Sequence, residues 1–406
     1  MSVRLAALRV GLIAYSIAIG GCSGDLGGSA SSDASSASGG AGNGSTGAGA
    51  MGSGAAGTGG TTSSSGAGAA PQDCSDAATG ETPPAAWQNA TGNLAEMPSE
   101  CGNLTLVAAT PCSTQIVAGV ALKGLWASED GGATWLELGS AAGSATITNR
   151  PSSIVHDPAH PGVFWTSGIY NGAGVHVTHD AGVSFEQLGS IGHNDLVSVD
   201  LADPERKTLL AGGHEQKQTV HRSTDSGQSW TNIGATLPDS AHFSSYPVVL
   251  DASTYLVGAC GWGGGTCGIW RTADGGASWS QVSDLPAQAA PLRATDSAIY
   301  WPLGSGGIAT STDGGLTWTE PSSGGLRAVT PIELPDGRLV TVGQGTLVIS
   351  SDGAATWSPI GEALPFDPAG VTYSALTRSF FVWHWDCGGA VLADAIAKSG
   401  FDWEAE

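Results

Sequence analysis

Few side chains in this 406-residue sequence have the types and spacing that acid–base, nucleophilic or metal chemistry requires. His193, His214 and His242 lie far apart, and no Cys/His spacing resembles a zinc site. A shared metal would need separate segments to converge, so no metal and no other cofactor is expected. Asp157 and Asp203 each precede a proline, which reads as a turn rather than as an acid/base pair. The residues offer recognition chemistry instead. Tyr170, Tyr246, Trp262 and Trp385 present faces that suit stacking on sugars or gripping a peptide, and His193, His214, His384, Arg293 and Arg327 present polar contacts. Trp262 lies between Cys260 and Cys267 in the stretch GWGGGT, which makes it a candidate rigid anchor. Plainer roles compete with these: solvated loop histidines, strand-flanking arginines, and tryptophans that fill the last unit of the fold.

The elements that position these residues are read from a repeat. SEDGGATW from Ser128, THDAGVSF from Thr178, STDSGQSW from Ser223, TADGGASW from Thr272, STDGGLTW from Ser311 and SSDGAATW from Ser350 start 50, 45, 49, 39 and 39 residues apart. Periods of about 20 to 50 residues signal a repeat architecture. A decayed copy, IAKSGFDW, starts at Ile396. Asp and Ser side chains close tight turns onto nearby backbone N–H groups, and glycine at the fifth position allows φ > 0. Asp130, Asp180, Asp225, Asp274, Asp313 and Asp352 are therefore structural, and Ala354, at the fifth position of the sixth copy, marks an altered turn. Alternating text such as TLLAGG and TVHRSTD precedes each octapeptide. Each unit is thus four short strands, A to D, with the octapeptide turning C into D. The fold class expected is all-β, a propeller of seven four-stranded antiparallel blades. WQNATGNLAEMP from Trp87 matches the strand D text WTNIGATLP from Trp230, so residues near Trp87 should pair with the last blade and close the ring. An eighth partial blade is the alternative.

The octapeptides match the Asp-box, or bacterial neuraminidase repeat, and the resemblance covers residues 103–403. It implies a propeller like those of sialidases, sortilin-type receptors, xyloglucan-active enzymes and photosystem II assembly factors. Fold shared across such activities selects none of them. The sialidase-like pattern implies an arginine clamp for a substrate carboxylate, and this chain has no arginine between Arg9 and Arg150. Xyloglucan-active relatives place two catalytic aspartates between two propellers, and the length here suffices for one. The expectation is a non-catalytic recognition module for an extracellular glycan or protein, with no catalytic residues. A sialidase-like or xyloglucanase-like glycoside hydrolase with an atypical active site is the alternative. Any ligand should sit on the face opposite the octapeptides, formed by the D-to-A and B-to-C loops.

Composition sets the address. Residues 1–22 read as an export signal: Arg4 and Arg9, an apolar run too short to span a bilayer, then Ile19-Gly20-Gly21-Cys22. That ending resembles the lipobox of bacterial lipoproteins, which implies lipidation at Cys22 and anchorage in the cell envelope. Residues 23–72 are almost entirely Gly, Ser, Ala and Thr, so they cannot offset their ordering entropy and form a flexible tether spanning about 40 Å. Residues 73–406 form the propeller domain, expected as a monomer. The formal net charge of −22 makes nucleic acid a poor partner and leaves the N-terminal lipid as the contact with membranes. Setting Cys22 aside, six cysteines suggest disulfides. Cys260 and Cys267 flank a tight Gly-rich stretch, Cys101 and Cys112 flank a strand and turn, and Cys74 and Cys387 stand near the two ends of the domain.

Overall fold

The computed structural model describes residues 82–403 apart from 102, 240, 242–245, 260–266 and 320–324. The expectations for Cys22, the tether, Cys74, His242, Cys260 and Trp262 lie outside the described residues.

Seven antiparallel sheets follow one another along the chain, and six of them have four strands. Strand A of blades one to seven is Leu104–Ala109, Arg150–His156, Asn194–Val199, Tyr246–Val249, Leu292–Arg293, Ile332–Glu333 and Gly370–Ser374. The protein is a seven-bladed β-propeller. In blade five strand D is reduced to a single bridge, Thr310 to Thr319, so its sheet has three strands among the described residues. Because strands within a blade alternate in direction, the A-to-B and C-to-D turns share one face and the B-to-C and D-to-A loops share the other. Apolar side chains fill the space between blades, with Trp135, Trp270 and Trp301 among the largest that are fully buried. No helix among the described residues is long and apolar enough to cross a membrane.

The six octapeptides fold alike. The first-position hydroxyl donates to the aspartate Oδ1 at 2.6–2.9 Å. It accepts the backbone N–H of the fifth residue at 2.8–3.0 Å. The N–H of the seventh residue donates to Oδ1 at 2.8–3.0 Å. Donors on the seventh residue hold these carboxyls below their ordinary range, Asp274 and Asp313 at about 2. Each aspartate accepts hydrogen bonds from its own turn.

The octapeptide also joins neighbouring blades. A Cβ on Gly132 would lie 2.3 Å from the Ala90 carbonyl oxygen, and on Gly182, Gly227 and Gly276 it would lie 2.7 Å from Leu138, Leu188 and Ile233. The fifth position is glycine for two reasons, its positive φ and the previous blade pressed against it. Ala354, at φ +70°, keeps the strained conformation and packs its methyl into a cluster with Tyr300 and Ala298. The eighth-position indoles dock on the same neighbour. Trp135 Nε1 donates to Ala90 O at 3.2 Å, Trp230 Nε1 to Leu188 O at 3.1 Å and Trp279 Nε1 to Ile233 O at 3.4 Å.

Ala90, Leu188 and Ile233 each directly follow a strand D. Ala90 does so because Gln88–Asn89 is strand D of blade seven, with Gln88 opposite Lys398 and Asn89 opposite Ala397. The N-terminal segment thus completes the last sheet, and no eighth blade forms among the described residues. A disulfide fastens the seam, but between Cys101 and Cys387. This corrects the grouping of Cys101 with Cys112 and of Cys387 with Cys74. The reason lies in the long blade-seven B-to-C loop, which leans over the start of blade one. There Asn103 Nδ2 donates to the Gly388 and Ala390 carbonyls, and Asp386 N–H donates to Asn103 Oδ1. Cys112 and Cys267 are disulfide-bonded as well.

Candidate functional site

The loop face brings Tyr170, His193, His214 and Tyr246 to the mouth between blades two, three and four. Strand register is responsible. Asn194, the first residue of strand A of blade three, pairs with Gly213 at the end of strand B, so His193 and His214 emerge side by side. His214 N–H donates to His193 O at 2.8 Å, and the two imidazole centroids are 4.9 Å apart. Tyr170 ends the blade-two B strand at φ +58°, a left-handed turn that swings its ring over both, 5.0 Å from His193 and 5.2 Å from His214.

Hydrogen bonds order this cluster. His214 Nδ1 lies 2.7 Å from Asp195 Oδ1, and His214 Nε2 lies 3.1 Å from the Tyr170 hydroxyl. With Asp195 accepting the Nδ1 proton, the neutral ring leaves Nε2 as the acceptor for the phenol. Tyr170 N–H donates to His193 Nδ1 at 2.9 Å, which places the proton of the neutral His193 ring on Nε2, free to donate. Burial, reinforced by His214, pulls the His193 pKa down, and burial with the Glu215 charge pushes the Tyr170 phenol up. Burial and Asp195 likewise raise the half-buried Tyr246. The cluster is dense in directed donors and acceptors.

His193, His214 and Glu215 carry ligand atoms within 4.8 Å of one another, so two histidines expected to stay apart do converge. The tautomers above oppose a metal there, because His193 would have to give up the Tyr170 N–H bond or the proton on Nε2.

The remaining candidates divide. Trp385, 36 % exposed, lies on the blade-seven loop held by the Cys101–Cys387 disulfide, and the Arg150 guanidinium sits 5.8 Å over its ring. Arg150 also acts electrostatically on Tyr170, and Arg150, Trp385 and Tyr170 all belong to the loop face. His384 is packed inward, stacked on Phe366 with centroids 4.2 Å apart. Arg327 lies apart in a groove with Gln344 and Phe366, ion-paired to Asp367. Arg293 does not belong to this face. It ends strand A of blade five, pairs with Ile299 across the A-to-B turn, and lines the central channel at the opposite end. The sequence reading did not select Asp195, which orients His214, Arg150, which lies over Trp385, or Phe366, which stacks on His384. Only the position of Asp195 beside His193 signalled its part.

No family model matches the sequence. A xyloglucanase from Paenibacillus sp is 25 % identical over 174 residues, 41 % of this chain and 14 % of that protein, so the match spans a small part of the relative. Among solved structures, YCF48 bound to D1 peptide superposes with a TM-score of 0.50 at 16 % identity, over 79 % of this chain and 100 % of that one. The GH74 xyloglucanase from Xanthomonas campestris gives 0.50 at 18 % identity over 74 % of this chain and 52 % of its own. The extracellular domain of a one component system assigned in B. thetaiotaomicron gives 0.51 at 11 % identity, over 77 % of this chain and 39 % of its own. These likenesses establish the propeller.

Proposed function

We propose that this chain is an exported, lipid-anchored Asp-box propeller whose loop face binds an extracellular glycan without cleaving it. The observation that carries the reading is the Tyr170, His193, His214 and Asp195 cluster, an exposed aromatic ring framed by fixed donors and acceptors, continued by Arg150 and Trp385. Sugars are bound in this manner, by a ring face against C–H groups and directed bonds to hydroxyls. The partial likeness to a xyloglucanase supports a polysaccharide as the ligand. Most glycoside hydrolases set two carboxyls across the glycosidic bond. Asp195 instead spends itself on His214, and the repeated aspartates spend themselves on their turns.

Tyr170→Ala should weaken binding to immobilised polysaccharide by about 2 kcal/mol, roughly thirtyfold, as truncation of an aromatic anchor does. Glu129→Ala, on an octapeptide turn of the other face, should leave the affinity unchanged. Affinity electrophoresis of the two variants checks this, and the reverse pattern would place the ligand on the octapeptide face. Anchorage rests on the Ile19-Gly20-Gly21-Cys22 ending. Cys22→Ala should move the protein from the membrane to the soluble fraction of fractionated cells, and unchanged partitioning would refute the lipid.

A further inference from the structure

The channel end remote from the loop face holds a second feature. Strand A residues of blades two to six enclose a cavity of about 400 Å³ there, walled mainly by apolar side chains including Val155, Leu196, Val199 and Val248. That volume falls within the range of small-molecule sites, about 300 to 1,000 Å³. Arg293 opens into it. Among the described residues its guanidinium makes one hydrogen bond, from Nη1 to the Val249 carbonyl at 3.0 Å, and forms no ion pair. A guanidinium carries five N–H donors, so most are unspent.

The nearby carboxylates are committed elsewhere. Glu333 accepts both the N–H and the hydroxyl of Thr295, at 2.9 and 2.7 Å. Asp200 accepts the Ala202 N–H, and Asp251 accepts the Ser253 and Thr254 N–H groups of its own turn. Asp200 and Asp251 favour the charge on Arg293 only through space, while burial opposes it. His156 lines the same cavity with a buried Nε2 that has no hydrogen-bond partner, and burial holds its pKa at about 4, so the ring is neutral. A half-buried cation with no ion-pair partner among the described residues, lining one apolar cavity with an unsatisfied neutral imidazole, is costly to fold and is offset by an anion that brings an apolar body with it.

We propose that this channel end binds a small apolar carboxylate, its carboxylate forked onto Arg293 and its hydrocarbon part among Val155, Leu196, Val199 and Val248. Either a free organic acid or the C-terminus of a peptide ending in an apolar residue supplies that chemistry. The proposal is independent of glycan binding on the other face.

Calorimetric titration of the purified full-length chain decides it, using 4-phenylbutyrate, the neutral 4-phenylbutanol, and acetyl-Gly-Gly-Phe as free acid and as amide. The expected result is saturable binding of at least one carboxylate, at least about tenfold tighter than its neutral counterpart, the worth of a charge-assisted hydrogen bond. Arg293→Gln should abolish that preference at an unchanged melting temperature. Should Arg293→Gln fail to fold, Arg293→Lys, which keeps the charge and loses the fork, should weaken the carboxylate alone. Binding of the peptide acid without phenylbutyrate supports the proposal and names a chain terminus as the occupant; phenylbutyrate alone names a free acid. Equal affinity for acid and neutral analogue, an unaffected folded variant, or no heat with either carboxylate at millimolar concentration overturns it.

Discussion

Trp135→Ala is expected to lower the stability of the propeller by about 3–5 kcal/mol, the loss typical of a buried tryptophan truncated to alanine. Trp135 is 0 % exposed and sits between the first octapeptide and the N-terminal strand that completes blade seven. Its indole donates to Ala90 O, and its backbone N–H donates to Asn93 Oδ1 at 2.6 Å, both on the closing segment. The substitution opens a cavity and also loosens the seam on which the whole ring depends. The homologous change Trp230→Ala, at a partly buried indole between two internal blades, should cost less. Urea unfolding of the two variants measures the difference. A loss of no more than about 1 kcal/mol in Trp135→Ala, ordinary for a site without special packing, would refute this picture of closure.

Arg206→Ala is expected to cost about as much, 3–5 kcal/mol, because it leaves Asp157 charged and buried without its partner. Arg206 Nε and Nη2 donate to the two Asp157 oxygens at 2.9 and 2.8 Å, joining the A-to-B turns of blades two and three. Burial pushes the Asp157 carboxyl up, but Arg206, the Ala159 N–H and His160 together outweigh it and hold the pKa at about 2. The folded value lies below that of an unfolded aspartate, about 3.9. The stabilisation from this pair is therefore fully present above pH 4 and lost as pH falls through about 2. The six octapeptide aspartates act in the same direction. Stability measured against pH should accordingly fall between about 4 and 2, and the fall should be shallower in Arg206→Ala. Equal acid sensitivity of the variant would show that the pair carries none of it.

The contrast between these residues shows what the chain reveals about itself. The octapeptide turns are legible because every bond they need lies within eight residues, so side-chain type and spacing determine them. Ring closure is legible for a related reason, since the text after Trp87 repeats that after Trp230 and a copied strand occupies a copied place. Disulfide pairing was not legible. Cys101 meets Cys387 because a long loop of blade seven lies across blade one, a contact that no local spacing records. Arg293 was misplaced because strand A of blade five is only two residues long, Leu292–Arg293, and its far end was read as its beginning. The meeting of His193 with His214 depends on pairing Asn194 with Gly213, which requires register as well as strand assignment. That pairing turns scattered polar loop residues into an ordered cluster.

Recognition without cleavage is the central claim, and one measurement bears on it most directly. Purified protein is incubated with a panel of soluble plant and bacterial polysaccharides, xyloglucan among them, while affinity electrophoresis reports binding and the release of reducing ends reports hydrolysis. The account predicts retarded migration on at least one polysaccharide, loss of that retardation in Tyr170→Ala, and no new reducing ends. Release of reducing ends by the wild-type chain, abolished in Glu215→Gln or His214→Ala, would contradict it and make the same cluster an active site.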